Sequence, residues 1–175
     1  MGSTGLEVAS RSTCPVVVIR IGQVEPGPEA GRVVVGVDGS ALSTEALGFA
    51  FEEASLRGCG LTAVHAWKSP YFDARGRGGQ APILIADEVF QGEELQVLRD
   101  ALALWQQKAP DVDLRQYVVH SHPARALIAA SAGAELVVVG SRGRRSFRSI
   151  LLGSVSHAVL HHAHCPVAVV RNTDA

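Results

Sequence analysis

Short β-branched runs alternating with helix-length segments constrain this chain more than any other feature. "RVVVGV" (32–37) is a continuous apolar run, the form taken by a strand buried on both faces. "LTAVHAW" (61–67), "LRQYVVH" (114–120), "ELVVVG" (135–140) and "CPVAVVR" (165–171) supply four more strands. Between the first two, "TEALGFAFEEASLRG" predicts a helix capped by Ser43 and closed by Gly58. After a Gly-, Arg- and Pro-rich loop at 68–86, apolar residues Val89, Leu95, Leu98, Leu102 and Trp105 mark the next helix. "PARALIAASAG" (123–133) opens with proline at a first-turn position, and "SVSHAVLHHA" (154–163) is the last helix. Such alternation implies right-handed crossovers and an α/β, doubly wound, five-stranded parallel sheet flanked by helices. Only 5% of residues are aromatic against 47% hydrophobic, so the core must be built from Val, Leu, Ala and Ile. Ligands of such sheets sit beyond the carboxyl ends of the strands, where strand order reverses. Both "VGVDGS" and "VVVGSRG" lie at such ends.

The chain also repeats itself. "GSTGLEVASRSTCPVVVIR" (2–20) aligns without gaps to "GSVSHAVLHHAHCPVAVVR" (153–171), sharing Gly-Ser, Cys-Pro, several Val and the final Arg. Residues 1–21 are therefore read as the tail of a preceding unit, 22–31 as a linker rich in Gly and Pro, and 32–171 as one complete unit. A bland alternative makes Met-Gly-Ser a cloning scar, which removes the Gly-Ser match but not the Cys-Pro-Val one. The apolar edge "PVAVVR" invites pairing. The leading "PVVVIR" either covers that edge in cis or is exchanged between two chains, since the stretch 20–32 can span roughly 40 Å.

A formal net charge of −1 argues against general capture of nucleic acid or anionic membrane. Positive charge is local: Arg142, Arg144, Arg145 and Arg148 crowd one loop. Three cysteines without a paired framework fit a reducing compartment. Without a secretory pattern or an apolar run near the roughly 18 residues of a membrane span, a cytoplasmic location is expected.

The arginine loop carries the clearest chemistry. Gly140 and Gly143 let backbone N–H groups turn inward, and Gly153 and Ser154 open a helix whose first amides are unpaired at the positive end of its dipole. With a Ser154 hydroxyl and nearby guanidiniums, this is an anion site suited to phosphate. The competing reading is a glycine turn with Ser154 merely capping its helix. No G-x-x-x-x-G-K-[ST] occurs and no G-x-G-x-x-G follows the first strand, so neither a P-loop nor a dinucleotide site is expected.

Gly140-x2-Gly143-x9-Gly153-Ser154 resembles the ATP-binding signature of the universal stress protein family. "VVVGVDGS" resembles that family's first strand and "LLGSVSHAVLHHAHCPVAVVR" its closing segment. The likeness covers 32–171 and is of the actinobacterial tandem type, with two such domains in one chain. It implies strand order 3-2-1-4-5, an extra N-terminal strand at the strand-5 edge, and a homodimer or pseudo-dimer through that edge. It implies ATP, with or without Mg²⁺, as ligand. Asp38 would contact the ribose, Gly36 would pass the adenine, and the Ala66 backbone would meet its edge. Val139 and Gly140 would line the ribose, and Arg142 and Gly143 would approach the phosphates. Gly153, Ser154, Val155 and Ser156 would wrap the phosphates through amides and hydroxyls. Asp38 has an alternative as a turn-former ahead of Ser40. The resemblance implies a nucleotide-dependent stress-response module, with hydrolysis slow or absent because no second carboxylate falls within the loop. The rival readings are a nucleotide-free interaction module acting through its paired edges, and a weak ATPase.

Three further groups of residues have chemical potential. His157, His161 and His164 share one helical face, as a Zn²⁺ site or, more simply, an exposed face whose register breaks near His164. His120 and His122 fall at a strand end, at the rim of the site or the surface. Cys14 and Cys165 each precede a proline at a strand start, which predicts burial rather than redox chemistry.

Overall fold

The computed structural model describes residues 3–19, 27–68, 83–143 and 152–171, with the side chains of residues 3, 4 and 83–90 excepted. Val89 and the arginines at 144, 145 and 148 thus lie outside the described side chains, as do residues 22–26 of the linker. The described elements are α1 (Ser3–Arg11), β1 (Val16–Val18), β2 (Arg32–Gly36), α2 (Ala41–Arg57), β3 (Gly60–Trp67), α3 (Ile83–Lys108), β4 (Leu114–His120), α4 (Pro123–Ala130), β5 (Leu136–Gly140), α5 (Ser154–His162) and β6 (Val167–Val170). Within these residues one sheet runs β1-β6-β5-β2-β3-β4. The strands from β2 to β6 pair in parallel and β1 joins β6 antiparallel. Counted from β2, this is order 3-2-1-4-5 with one strand added at its end. No described helix is long and apolar enough to cross a membrane.

Because side chains alternate across a strand, the apolar runs feed two separate cores. Val33, Val35, Leu61, Ala63, Leu136 and Val138 face Leu47 and Phe51 of α2 and Leu98 and Leu102 of α3. Val34, Val64, Val137, Val139, Val167 and Val169 face Leu127 of α4 and Val159 and Leu160 of α5. Each such residue, fully buried, is worth roughly 1.5–3 kcal/mol in transfer free energy. The helix after β2 is capped by Ser40 rather than Ser43: Ser40 is extended (φ −81°, ψ 159°) and its hydroxyl accepts from the Ser43 N–H. Ser43 sits inside the first turn, its own hydroxyl donating back to the Ser40 carbonyl at 2.8 Å. Gly58 closes the helix in the left-handed region, φ 63°.

The internal repeat is also a structural one. The repeated segments form α1–β1 and α5–β6, and Ala9 and its repeat equivalent Leu160 are buried in the same core. Val16 pairs with Val169, Val17 with Ala168 and Val18 with Val167. Since Val16, Val17 and Val18 are the counterparts of Val167, Ala168 and Val169, the pairing is related to itself by a local two-fold. Val16 and Val18 pack on the core shared with α5, whereas Val17 is 44% exposed, no described helix covering that face of β1. Cys14, expected buried, is exposed for the related reason that β1 is the last strand of the sheet. Cys165 is buried, and desolvation pushes its thiol up to about 11, which leaves it inert as a nucleophile.

A chain lacking residues 1–25 should expose the β6 edge and change its assembly state or solubility. Light scattering after size exclusion checks this, and unchanged assembly, solubility and stability would remove the capping role of β1.

Candidate functional site

Strands β2, β3 and β5 end together at the point where order reverses, and their carboxyl ends open into a cleft of about 570 Å³. Gly36, Asp38, Ala66, Val139, Gly140, Arg142, Gly143, Gly153, Ser154, Val155 and Ser156 all line it. Residues from four segments of the chain are thus gathered by the crossover connections alone.

The Asp38 carboxylate is fixed locally. Its Oδ1 accepts from the Ser40 backbone N–H at 3.0 Å and from the Ser40 hydroxyl at 2.6 Å. That hydroxyl also accepts from the Ser43 N–H at 3.2 Å. Asp38 is therefore also a turn-former, through Oδ1. The other oxygen points across to the glycine loop: a Cβ placed on Gly143 would lie 2.7 Å from Oδ2. Glycine at 143 is what lets the loop close onto the carboxylate. At Gly140 a Cβ would stand 3.0 Å from the Leu42 carbonyl oxygen and 3.3 Å from that of Arg142. Both neighbours are main chain and cannot swing away.

The loop and α5 close in a way the motif did not reveal. The Ser141 N–H donates to the Val170 carbonyl and the Gly153 N–H to the Ser141 carbonyl, each at 2.7 Å. The Ser156 hydroxyl donates to the Gly140 carbonyl at 2.6 Å. Two groups expected to wrap phosphate, the Gly153 amide and the Ser156 hydroxyl, are thus committed to the protein, because the loop needs them to hold its own shape. Gly153 is the cap of α5 and supplies no side-chain acceptor, so the first-turn amides of Ser154, Val155 and Ser156 have no acceptor within the helix. Arg142, half-buried, adds positive charge at the cleft. Its neighbour Arg171 is pushed down by burial and then by the Arg142 charge, and its guanidinium donates to the Ser10 carbonyl at the end of α1.

The matching family model is that of the Usp, or universal stress protein, family, over residues 29–171. This chain belongs to the universal stress protein family. It is 45% identical over 174 residues to Universal stress protein Rv2005c of Mycobacterium tuberculosis, covering 99% of this chain and 57% of that protein. Universal stress protein Rv2623 of the same species is 40% identical over 174 residues, covering 99% and 56%. The chain thus spans a little over half the length of these universal stress proteins. Among solved structures it is similar to universal stress protein UspA of Lactobacillus plantarum, with TM-score 0.66 and 22% identity over 83% of this chain and all of that one. It is also similar to a universal stress protein solved in complex with cAMP, with TM-score 0.55 and 27% identity over 82% and 98%.

Other residues line this cleft that sequence reasoning did not select: His65 and Trp67 at the end of β3, Lys68 after it, Glu94 on α3, and Pro123 and Leu127 of α4. Their selection required the fold, since Glu94 reaches the site from a helix beyond a long loop. His122 lines the rim and caps α4, its Nδ1 accepting from the Ala124 N–H at 3.3 Å. His120 stacks on Trp67, ring centroids 4.6 Å apart. The histidines of α5 fall elsewhere. The rings of His157 and His161 are tilted by 35° with centroids 4.6 Å apart, but the helix ends at His162, and the His164 backbone N–H donates to the Ser131 hydroxyl at 2.9 Å. Among the described residues no group of three His, Cys, Asp or Glu side chains could hold a metal ion.

Proposed function

We propose that this universal stress protein binds ATP in the cleft and acts as a nucleotide-dependent regulatory module, turning the nucleotide over slowly if at all. The observation that carries the reading is the facing of the Asp38 carboxylate and the glycine loop across a cleft onto which the α5 amides open. An acceptor-only carboxylate suits the hydroxyls of a ribose. Helix-terminal amides, Arg142 and the Ser154 hydroxyl suit an anion. The cleft volume falls within the roughly 300–1,000 Å³ usual for small-molecule sites. The Ala66 backbone and Gly36 would receive the base, and Val139 and Gly140 the sugar. A cAMP complex of a similar universal stress protein supports an adenine nucleotide as the ligand class. For hydrolysis a base must reach water near the phosphates. Asp38 already accepts two hydrogen bonds from Ser40, and Glu94 faces His65, so efficient turnover is not expected.

Titration calorimetry with ATP should give saturable binding at one site per chain. Mass analysis of small molecules released by denaturing the pure protein should find adenine nucleotide. A flat titration together with nucleotide-free extracts would leave the paired edges as the working surface instead.

A further inference from the structure

His65 immediately precedes the strand position proposed to meet the base, and it is buried, with 3% of its surface exposed. Its Nδ1 lies 2.7 Å from the Val37 carbonyl oxygen, and its Nε2 lies 2.6 Å from Oε2 of Glu94. A main-chain carbonyl only accepts hydrogen bonds, and so does an ionised carboxylate. A neutral imidazole has one N–H and cannot serve both. Both contacts are made only when the ring and Glu94 together hold one further proton, as imidazolium beside carboxylate or as neutral ring beside carboxylic acid.

The carbonyl in question belongs to the peptide group joining Val37 to Asp38, and the Val37 N–H is held by the Val64 carbonyl at 2.9 Å. His65 therefore fixes the peptide plane from which the Asp38 side chain departs, and Glu94 fixes His65 from α3. We propose that His65 and Glu94 form a proton-requiring clamp that positions Asp38 for the nucleotide, so that affinity falls as pH rises. This rests on the nucleotide reading above. Removing the shared proton leaves a ring lone pair facing an acceptor oxygen, one contact opens, and the support of Asp38 is lost. Binding a nucleotide that needs the clamped state must then draw a proton in. Among the described residues, the other charged or titratable side chains lining the cleft are Asp38, Lys68, His122 and Arg142, so a control is needed that alters the clamp alone.

Glu94→Gln is that control. A carboxamide N–H can donate to Nε2 of a neutral ring, which keeps both contacts without the extra proton. Calorimetry with ATP over a series of pH values, repeated in buffers of different ionisation enthalpy, reads affinity and proton uptake. The wild type should lose roughly tenfold in affinity as the pH rises, the scale of one charge-assisted hydrogen bond, and take up a proton on binding. Glu94→Gln should bind with a nearly flat profile and without that uptake. Coincident profiles for the two proteins would overturn the clamp. If the wild type binds no ATP at any pH, the nucleotide reading fails alone. The clamp is then decided by nitrogen NMR of the His65 ring with the infrared carboxyl band, and a singly protonated ring beside an ionised Glu94 would sink it.

Discussion

Gly143→Ala is expected to weaken ATP binding roughly a hundredfold, about 2.7 kcal/mol, in a chain that still folds. The new methyl would sit 2.7 Å from Oδ2 of Asp38, inside van der Waals contact. The carboxylate cannot simply turn away, because its other oxygen is held by the Ser40 amide and hydroxyl. Either the carboxylate leaves its place or the loop backs off, and in both cases the two halves of the site separate. The same alanine placed in an Asp38→Ala background should cost little more than Asp38→Ala alone, since the atom it strikes is gone. That non-additivity is the signature of a shared contact. Calorimetric affinities of the four proteins check it, and unchanged affinity in Gly143→Ala would mean that the carboxylate and the loop do not act together.

The largest stability loss is expected at the opposite end of the sheet. Arg32 is buried and directs its guanidinium to Asp113 Oδ2, to the carbonyls of Leu61 and Asp113, and to the Thr62 hydroxyl. Thr62 in turn donates to Glu29 at 2.6 Å. One side chain thus ties the starts of β2, β3 and β4 together. Arg32→Met leaves buried acceptors without donors and should cost about 3 kcal/mol in urea unfolding. ATP affinity should survive at low temperature, because the cleft lies at the other ends of the strands. The Arg32 hydrogen bond and charge hold the Asp113 carboxyl below its ordinary range. A depressed carboxyl stabilises above that range, and its contribution disappears as the pH falls through the lowered value. Asp113→Asn should flatten this acid limb of the stability profile. Loss of Arg32 without change in the urea midpoint would show the network to be ornamental.

Much of the architecture was legible because the apolar runs are long and the helix stops are chemically marked. "RVVVGV" could only be a buried strand, and Gly58 and Pro123 stand where a helix end and start should. The glycine spacing from 140 to 154 pointed to the residues that the fold gathers around one cleft. Contacts settled by tertiary approach were not legible. Ser40 and Ser43 are equally good caps on paper, and only the extended backbone at Ser40 decides between them. Burial of Cys14 is expected because it precedes a proline at a strand start, as Cys165 does, yet Cys14 leads into the edge strand of the sheet and Cys165 into an inner one. The Gly153 amide and Ser156 hydroxyl resemble ligand donors in a motif, but the loop uses them for itself. His65 and Glu94 lie 29 residues apart, with no pattern in the chain linking them.

The reciprocal match of Val16 to Val169 and Val18 to Val167 has a consequence for how this edge responds to dilution. A strand that meets its own duplicate makes a joint that separate molecules could equally form, but then its occupancy would rise and fall with concentration. Tethered through residues 20–31, the duplicate is supplied at an effective local concentration set by the tether. The joint is therefore expected to stay closed on dilution, where a pairing between separate molecules would open.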